Sequence, residues 1–235
     1  MTSTIPSDQL LLPGQTHVAQ GPHDMTGMYV MHHAFRRDLR RFVAAVSSTP
    51  VEAGTTWKAL AERWAKYETV LHHHHTIEDE HLWPVLAGHA TEAADVATVE
   101  AMEVEHGVIA PILSAVSAGF REMRDHASED AWRTLADHII ELRIALDDHL
   151  RHEETDALPM VQRTMSAQEW EDAEKQAGKG YPARLMPFLV PWVLDDLSPD
   201  GRRRMVALAG RPYLVLHWLT KGAYVRKDAV AFRYV

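Results

Sequence analysis

Four stretches of this chain repeat apolar residues at spacings of three and four, and that pattern confines the fold more than any other feature. Over about 24–46 the stripe is Met25, Met28, His32, Phe35, Leu39, Phe42 and Val46. Over about 56–86 it is Trp57, Leu60, Trp64, Tyr67, Leu71, His74, Glu78, Leu82 and Val85. Over about 92–123 it is Val99, Met102, His106, Ile109, Leu113, Val116 and Phe120, and over about 129–160 it is Trp132, Leu135, Ile139, Leu142, Leu146, His149, Glu153, Ala157 and Met160. Residues spaced in this way share one face of an α-helix, and an apolar face must be buried against other helices. The links Ser47–Thr55, Ala87–Thr91 and Arg124–Ser128 are short and carry Pro50, Gly54 and Gly88 as breakers. Short links favour antiparallel neighbours, so the expected fold is all-α, an antiparallel up-down four-helix bundle over 24–161.

The flanks read differently. Residues 1–23 hold Pro6, Pro13, Gly14, Gly21 and Pro22 and are expected to form an irregular arm. Residues 162–235 read as a C-terminal helical extension. Ser166 and Glu169 form a capping box, predicting a helix that stops at Ala177 before Gly178 and Gly180. Residues 181–194 are apolar but broken by Pro182, Pro187 and Pro191. Ser198-Pro199 opens another helix ending at Gly210, and a last helical pattern covers Tyr213–Leu219 before the tail. With Trp170, Trp192 and Trp218 but no core of its own, the extension is expected to pack on the bundle, as a lid or as a subunit interface. Monomer and homodimer both fit.

Composition removes several function classes. There is no cysteine, which excludes disulfides, thiolate metal sites and cysteine nucleophiles. The net charge of −9 argues against a nucleic-acid binder, because phosphate binding needs surplus cations. The longest apolar run, Leu185–Leu194, is ten residues with two prolines, too short to span a bilayer. Residues 1–8 lack the basic and apolar regions of a signal peptide, so a cytoplasmic location is expected. The anomaly is 16 histidines.

Each apolar stripe contains one mid-helix histidine: His32, His74, His106 and His149. Two stripes also carry a glutamate four residues on, Glu78 and Glu153. These features repeat. His74, Glu78 and Pro84 recur as His149, Glu153 and Pro159 at an offset of 75 residues, and His32 recurs as His106 at an offset of 74. A helix pair therefore occurs twice, each copy offering one His and one His-x-x-x-Glu. Residues four apart lie ~40° apart around a helix and ~6 Å along it, so imidazole and carboxylate can reach one metal, or one metal and its neighbour. Buried carboxylates need such a partner. Four neutral imidazoles and two carboxylates carry charge −2 and can hold two divalent cations. Mixed carboxylate and imidazole donors suit non-haem iron, with zinc or manganese behind it, and a pair of metals is a known catalytic arrangement.

The set His32-His-Ala-Phe-Arg-Arg-Asp-Leu, His74-His-Thr-Ile-Glu78-Asp-Glu-His-Leu-Trp-Pro, Glu105-His106 and His149-Leu-Arg-His-Glu153-Glu resembles the hemerythrin family, in particular its bacterial HHE cation-binding branch, over about 24–161. The resemblance implies two iron ions, with His32, His74, His106 and His149 as terminal ligands, Glu78 and Glu153 as bridges, and an oxo or hydroxo bridge completing the centre. Two departures stand out. Oxygen-carrying members have a second histidine one turn after the third-helix ligand, where this chain has Ala110; that weakens the reversible carrier reading and favours a centre that reacts with O2, peroxide or NO, or senses them. In the carriers the last carboxylate lies five residues after its histidine, which here would be Glu154. The repeat points to Glu153, and both stay open. The implied function is an oxidoreductase or catalase-like reaction with O2 or hydrogen peroxide; the alternatives are an O2, NO or iron binding and sensing module without turnover, and a mononuclear or zinc structural site. Ferritin-like di-iron proteins are the nearest competitor. Glu78-x-x-His81 and Glu103-x-x-His106 fit that pattern, but the first stripe has no glutamate and the fourth lacks the motif.

Several neighbours carry secondary expectations. His72, His73, His75 and His81 are expected on a solvated face, with surface metal scavenging as the other reading. Tyr29 and Tyr67 can donate to a bound oxygen species or serve as ordinary core tyrosines. Arg36 can pair with Glu78, Glu153 or a bound anion, or lie at the surface. Gly107 can leave room for a small ligand or permit close packing beside a kink at Pro111. Asp79 and Glu154 are candidate anchors for ligand imidazoles.

Overall fold

Each apolar stripe becomes a helix with its histidine facing inward. The computed structural model describes residues 8–235, so Pro6 and most of the segment read for a signal peptide lie outside the described residues. Helix α1 spans Thr26–Ser48, α2 spans Gly54–Ile77, α4 spans Ala93–His126 and α5 spans Glu129–His152. The described residues are helical and contain no strand. Helix α4 packs against α2 and α5, and α5 packs against α1. Ser128 caps α5 by accepting the Ala131 N–H at 3.2 Å. The interior at one end of the bundle is aromatic: Phe42, Trp64, Tyr67 and Phe120 lie with ring centroids 5.0–5.7 Å apart.

The second and fourth stripes are not uniform helices. After α2 the chain makes a π-helical turn over Glu78–Leu82 and continues as α3, Trp83–His89. After α5 it does the same over Glu153–Ala157 and continues as α6, Leu158–Thr164. The prolines of the repeat explain both turns. Pro84 and Pro159 have no N–H, and in a regular helix their rings would strike the carbonyl four residues back. The widened turn avoids this: Trp83 N–H donates to the Glu78 carbonyl and Leu158 N–H to the Glu153 carbonyl, each five residues back. Helix α4 accommodates Pro111 without interruption. Gly107 is exposed and has nothing within 4 Å of where a Cβ would lie, so it serves neither close packing nor ligand room.

Between residues 8 and 25 the chain has no helix, yet it is tied down. Leu10, Leu12 and Ala19 are buried, and Gln162 of α6 accepts the His23 N–H at 2.9 Å while donating to the Ala19 and His23 carbonyls. In the extension, α7 (Ala167–Ala177) carries the capping box, α8 covers Met186–Leu194 and α9 covers Pro199–Ala209. Gly210, at φ +83°, permits the sharp turn into α10, Arg211–Ala231. Here the sequence expectation falls short: the last helix does not stop at Leu219 but runs twelve residues further, to Ala231. Its only buried side chains are Tyr224 and Ala231, too few to create a visible stripe. Helix α10 packs on α2, α8 and α9. Trp192 of α8 packs against Phe35 and Tyr67, whereas Trp218 is 77% exposed. No helix among the described residues is long and apolar enough to cross a membrane.

Candidate metal centre

The four helices bring all six singled-out side chains to one place. Their donor atoms fall in two groups: His32, His74, Glu78 and Glu153 in one, and His75, Glu78, His106 and His149 in the other, with all donors of a group within 4.8 Å of one another. The carboxylates lie between the groups. Glu78 Oε1 is 3.1 Å from His74 Nε2 and its Oε2 is 3.6 Å from His106 Nε2. Glu153 Oε2 is 3.2 Å from His32 Nε2 and 3.9 Å from His149 Nε2. Each glutamate thus faces one imidazole of each group.

The backs of the rings are held by hydrogen bonds. His32 Nδ1 donates to Glu154 Oε1 at 3.0 Å, His106 Nδ1 to Asp79 Oδ1 at 2.7 Å, and His149 Nδ1 to Glu105 Oε2 at 2.9 Å. Glu105 also accepts from His152 Nδ1 at 2.7 Å. In a neutral imidazole a proton on Nδ1 leaves the lone pair on Nε2, the nitrogen aimed at the centre. His106 Nε2 and His149 Nε2 lie 3.1 Å apart, a spacing that one shared proton or one shared cation satisfies. Nε2 of His32, His74 and His75 and both oxygens of Glu78 and Glu153 are buried without a hydrogen-bond partner. Buried polar atoms are rarely left so, and this many converging on one point fit a metal.

Electrostatics agree. Burial, and then the neighbouring imidazoles, push His74 and His75 well below the usual histidine range, so they are neutral as metal ligation requires. Burial raises Glu78 well above the usual carboxylate range, and the Glu153 charge beside it adds to this. At His32, burial opposes the charged form, but Glu153 and Glu154 overcome it and push the pKa up to about 9. Burial also works against the Glu153 carboxylate, yet the His32 charge beside it holds it at about 2. Carboxylates that draw a proton onto a buried imidazole draw a metal cation by the same attraction.

The two candidate glutamates of the fourth stripe separate cleanly. Both Glu153 oxygens face inward unpartnered. Those of Glu154 are occupied by His32 Nδ1, the Thr16 N–H and Arg36. Arg36 therefore pairs with neither Glu78 nor Glu153, nor is it at the surface: it is buried against Glu154, with Nη1 at 2.5 Å. Tyr67 Oη donates to the Phe35 carbonyl at 3.3 Å, and Tyr29 Oη accepts the Ala19 N–H at 2.8 Å, a bond that does not use its own proton. The pairs required by a ferritin-like reading do not form, because Glu103 is exposed and the His81 side chain is 37% exposed.

His75 corrects the sequence reading. It does not lie on a solvated face; it is 8% exposed and stacked on His106 with centroids 4.0 Å apart. His72 is exposed as expected, and His73 packs on Tyr181 ahead of α8. Two adjacent helical residues point ~100° apart, so His74 filled the stripe and hid its neighbour. The available signal was that His75 lies three residues before Glu78, itself a same-face spacing. Glu105 was legible only as part of its motif, not as an anchor.

A family model described as the hemerythrin HHE cation binding domain matches residues 25–161. No curated protein and no solved structure matches the chain.

Proposed function

Because this chain belongs to the hemerythrin HHE cation-binding family, we propose that His32, His74, Glu78, His106, His149 and Glu153 hold two iron ions, with both glutamates bridging, in a centre that reacts with hydrogen peroxide or O2. The observation that carries the reading is the convergence of buried, unpartnered donors from both repeats. Two carboxylates with neutral imidazoles balance much of the charge of two divalent ions, and this donor mixture suits non-haem iron. When bound, such a pair supplies redox chemistry that no side chain here has.

The protein's own residues do the rest. Asp79, Glu105 and Glu154 fix ring orientation and tautomer. Arg36 holds Glu154 in place through its guanidinium. Phe35, 5.2 Å from the His74 ring, helps to exclude water. Burial, aided by the nearby Glu154 and Glu153 charges, raises the Tyr29 pKa to about 12, so it stays protonated and able to donate. Disproportionation of peroxide oxidises one molecule to O2 and reduces a second to water, so it needs no outside reductant.

The test is iron content followed by an oxygen electrode. The wild type is expected to hold two irons per chain and to evolve O2 from peroxide, with His74→Ala and Glu78→Ala falling to one iron or none and losing turnover. Two irons with reversible O2 or NO spectra and no turnover would favour a sensing module. One zinc without visible absorption would overturn the di-iron reading.

A further inference from the structure

Resting on the metal-site reading above, we propose that His75 is a further metal ligand, a fifth imidazole supplied by α2 to the ion held by His106 and His149. Three observations carry this. His75 shares a donor group with Glu78, His106 and His149. Its Nε2 is buried with no hydrogen-bond partner, although the residue is polar and packed among imidazoles. It stacks on His106 and meets His149 edge-on at 5.4 Å, so it approaches that side of the centre and not the His32 side.

Two nitrogens on one ion, each about 2.1 Å from it, are at most about 4.2 Å apart. Donors already within 4.8 Å therefore need only a small ring movement to share an ion. The assignment also answers the absence of a histidine at Ala110. That residue is exposed, one turn beyond His106, while His75 reaches the same ion from the facing helix. The centre then has three imidazoles on one ion and two on the other, with Glu78 and Glu153 between them. The His106 ion is not the imidazole-poor one that Ala110 alone suggests.

A purely structural role, filling space behind His106, makes a different forecast. His75→Phe keeps a flat ring for the stack and removes the nitrogen. Metal-free protein is titrated with Co(II), following stoichiometry, and the loaded protein is then examined by proton NMR for imidazole N–H signals shifted by the paramagnetic ion. Wild type is expected to bind two ions. His75→Phe is expected to keep one tightly and to weaken the other at least about tenfold, the low end of what removing even a group behind a ligand typically costs. One shifted imidazole signal should disappear, and free imidazole should restore the second ion to His75→Ala. Two ions bound by His75→Phe at wild-type affinity would overturn the assignment while leaving the six-residue site standing. Metal loss in His75→Ala that imidazole does not repair would overturn it too, since packing would then be the cause. Wild type that fails to bind two ions would overturn both readings.

Discussion

At the scale of single residues, the centre is defined as much by what stands behind the rings as by the rings. Asp79 is the most isolated of the anchors: its carboxylate is 39% exposed and bonds the His106 Nδ1 at 2.7 Å. Removing it leaves no buried charge unpaired, which sets it apart from Glu154, whose loss would strand Arg36. Asp79→Ala is expected to lower metal affinity 10–100-fold by freeing the His106 tautomer and ring angle, with little change in unfolding midpoint; competition with a chelator measures it. Asp79 and Glu154 were visible in the sequence as candidate anchors because each directly follows one of the two stripe glutamates. The burial of His75 was not, because linear spacing ranks residues by one face, whereas the buried donors draw on a wider arc of the helix.

At the scale of elements, the π turns begin at the two glutamates that face the centre. A regular helix would carry its register straight through Glu78 and Glu153; the widened turns begin at those two residues and resume α geometry one residue late. The prolines six residues on were plain in the sequence, but the extra residue per turn follows from ring sterics within a packed helix. Packing between α4 and α5 gives a test that bears on fold alone. A Cβ on Gly119 would lie 3.0 Å from Leu135 Cδ1 and 3.1 Å from Leu135 Cβ, while one on Gly107 meets nothing within 4 Å. Both are helical, so alanine gains about 1 kcal/mol of propensity at either. At Gly119 overpacking costs about 1–3 kcal/mol and is expected to win. Urea unfolding should show Gly119→Ala destabilised by about 1 kcal/mol and Gly107→Ala stabilised by a similar amount.

At the scale of the whole molecule, the extension is clamped to the bundle by buried charge. Asp38, fully buried on α1, accepts from Arg63 Nε at 2.9 Å and from Arg37 Nη2 at 3.1 Å. Those two arginines reach outward, Arg37 donating to the Trp192 and Asp195 carbonyls and Arg63 to the Tyr224 hydroxyl, while Arg41 beside them forms a two-point pair with Asp228. Burial alone would raise the Asp38 pKa, but the arginines hold it below the usual range. Arg63→Met removes one partner and leaves the carboxylate under-compensated, which for buried pairs costs about 3–5 kcal/mol. With Arg37 still present, a loss of about 3 kcal/mol is expected in chemical unfolding, with metal content per folded chain unchanged.

The bundle, its short links and the six inward donors were legible in the linear order of residues, because helical period and burial are local properties: a histidine at a core position is in the core wherever the helix packs. That the extension packs on the bundle was expected, but how it is held was not legible, since α10 buries only Tyr224 and Ala231 and is held by partners more than 150 residues away in the chain. The difference between Glu153 and Glu154 likewise shows only in three dimensions. Two adjacent carboxylates have the same chemistry, and what separates them is that Arg36, Thr16 and the back of His32 occupy one while nothing in the protein occupies the other.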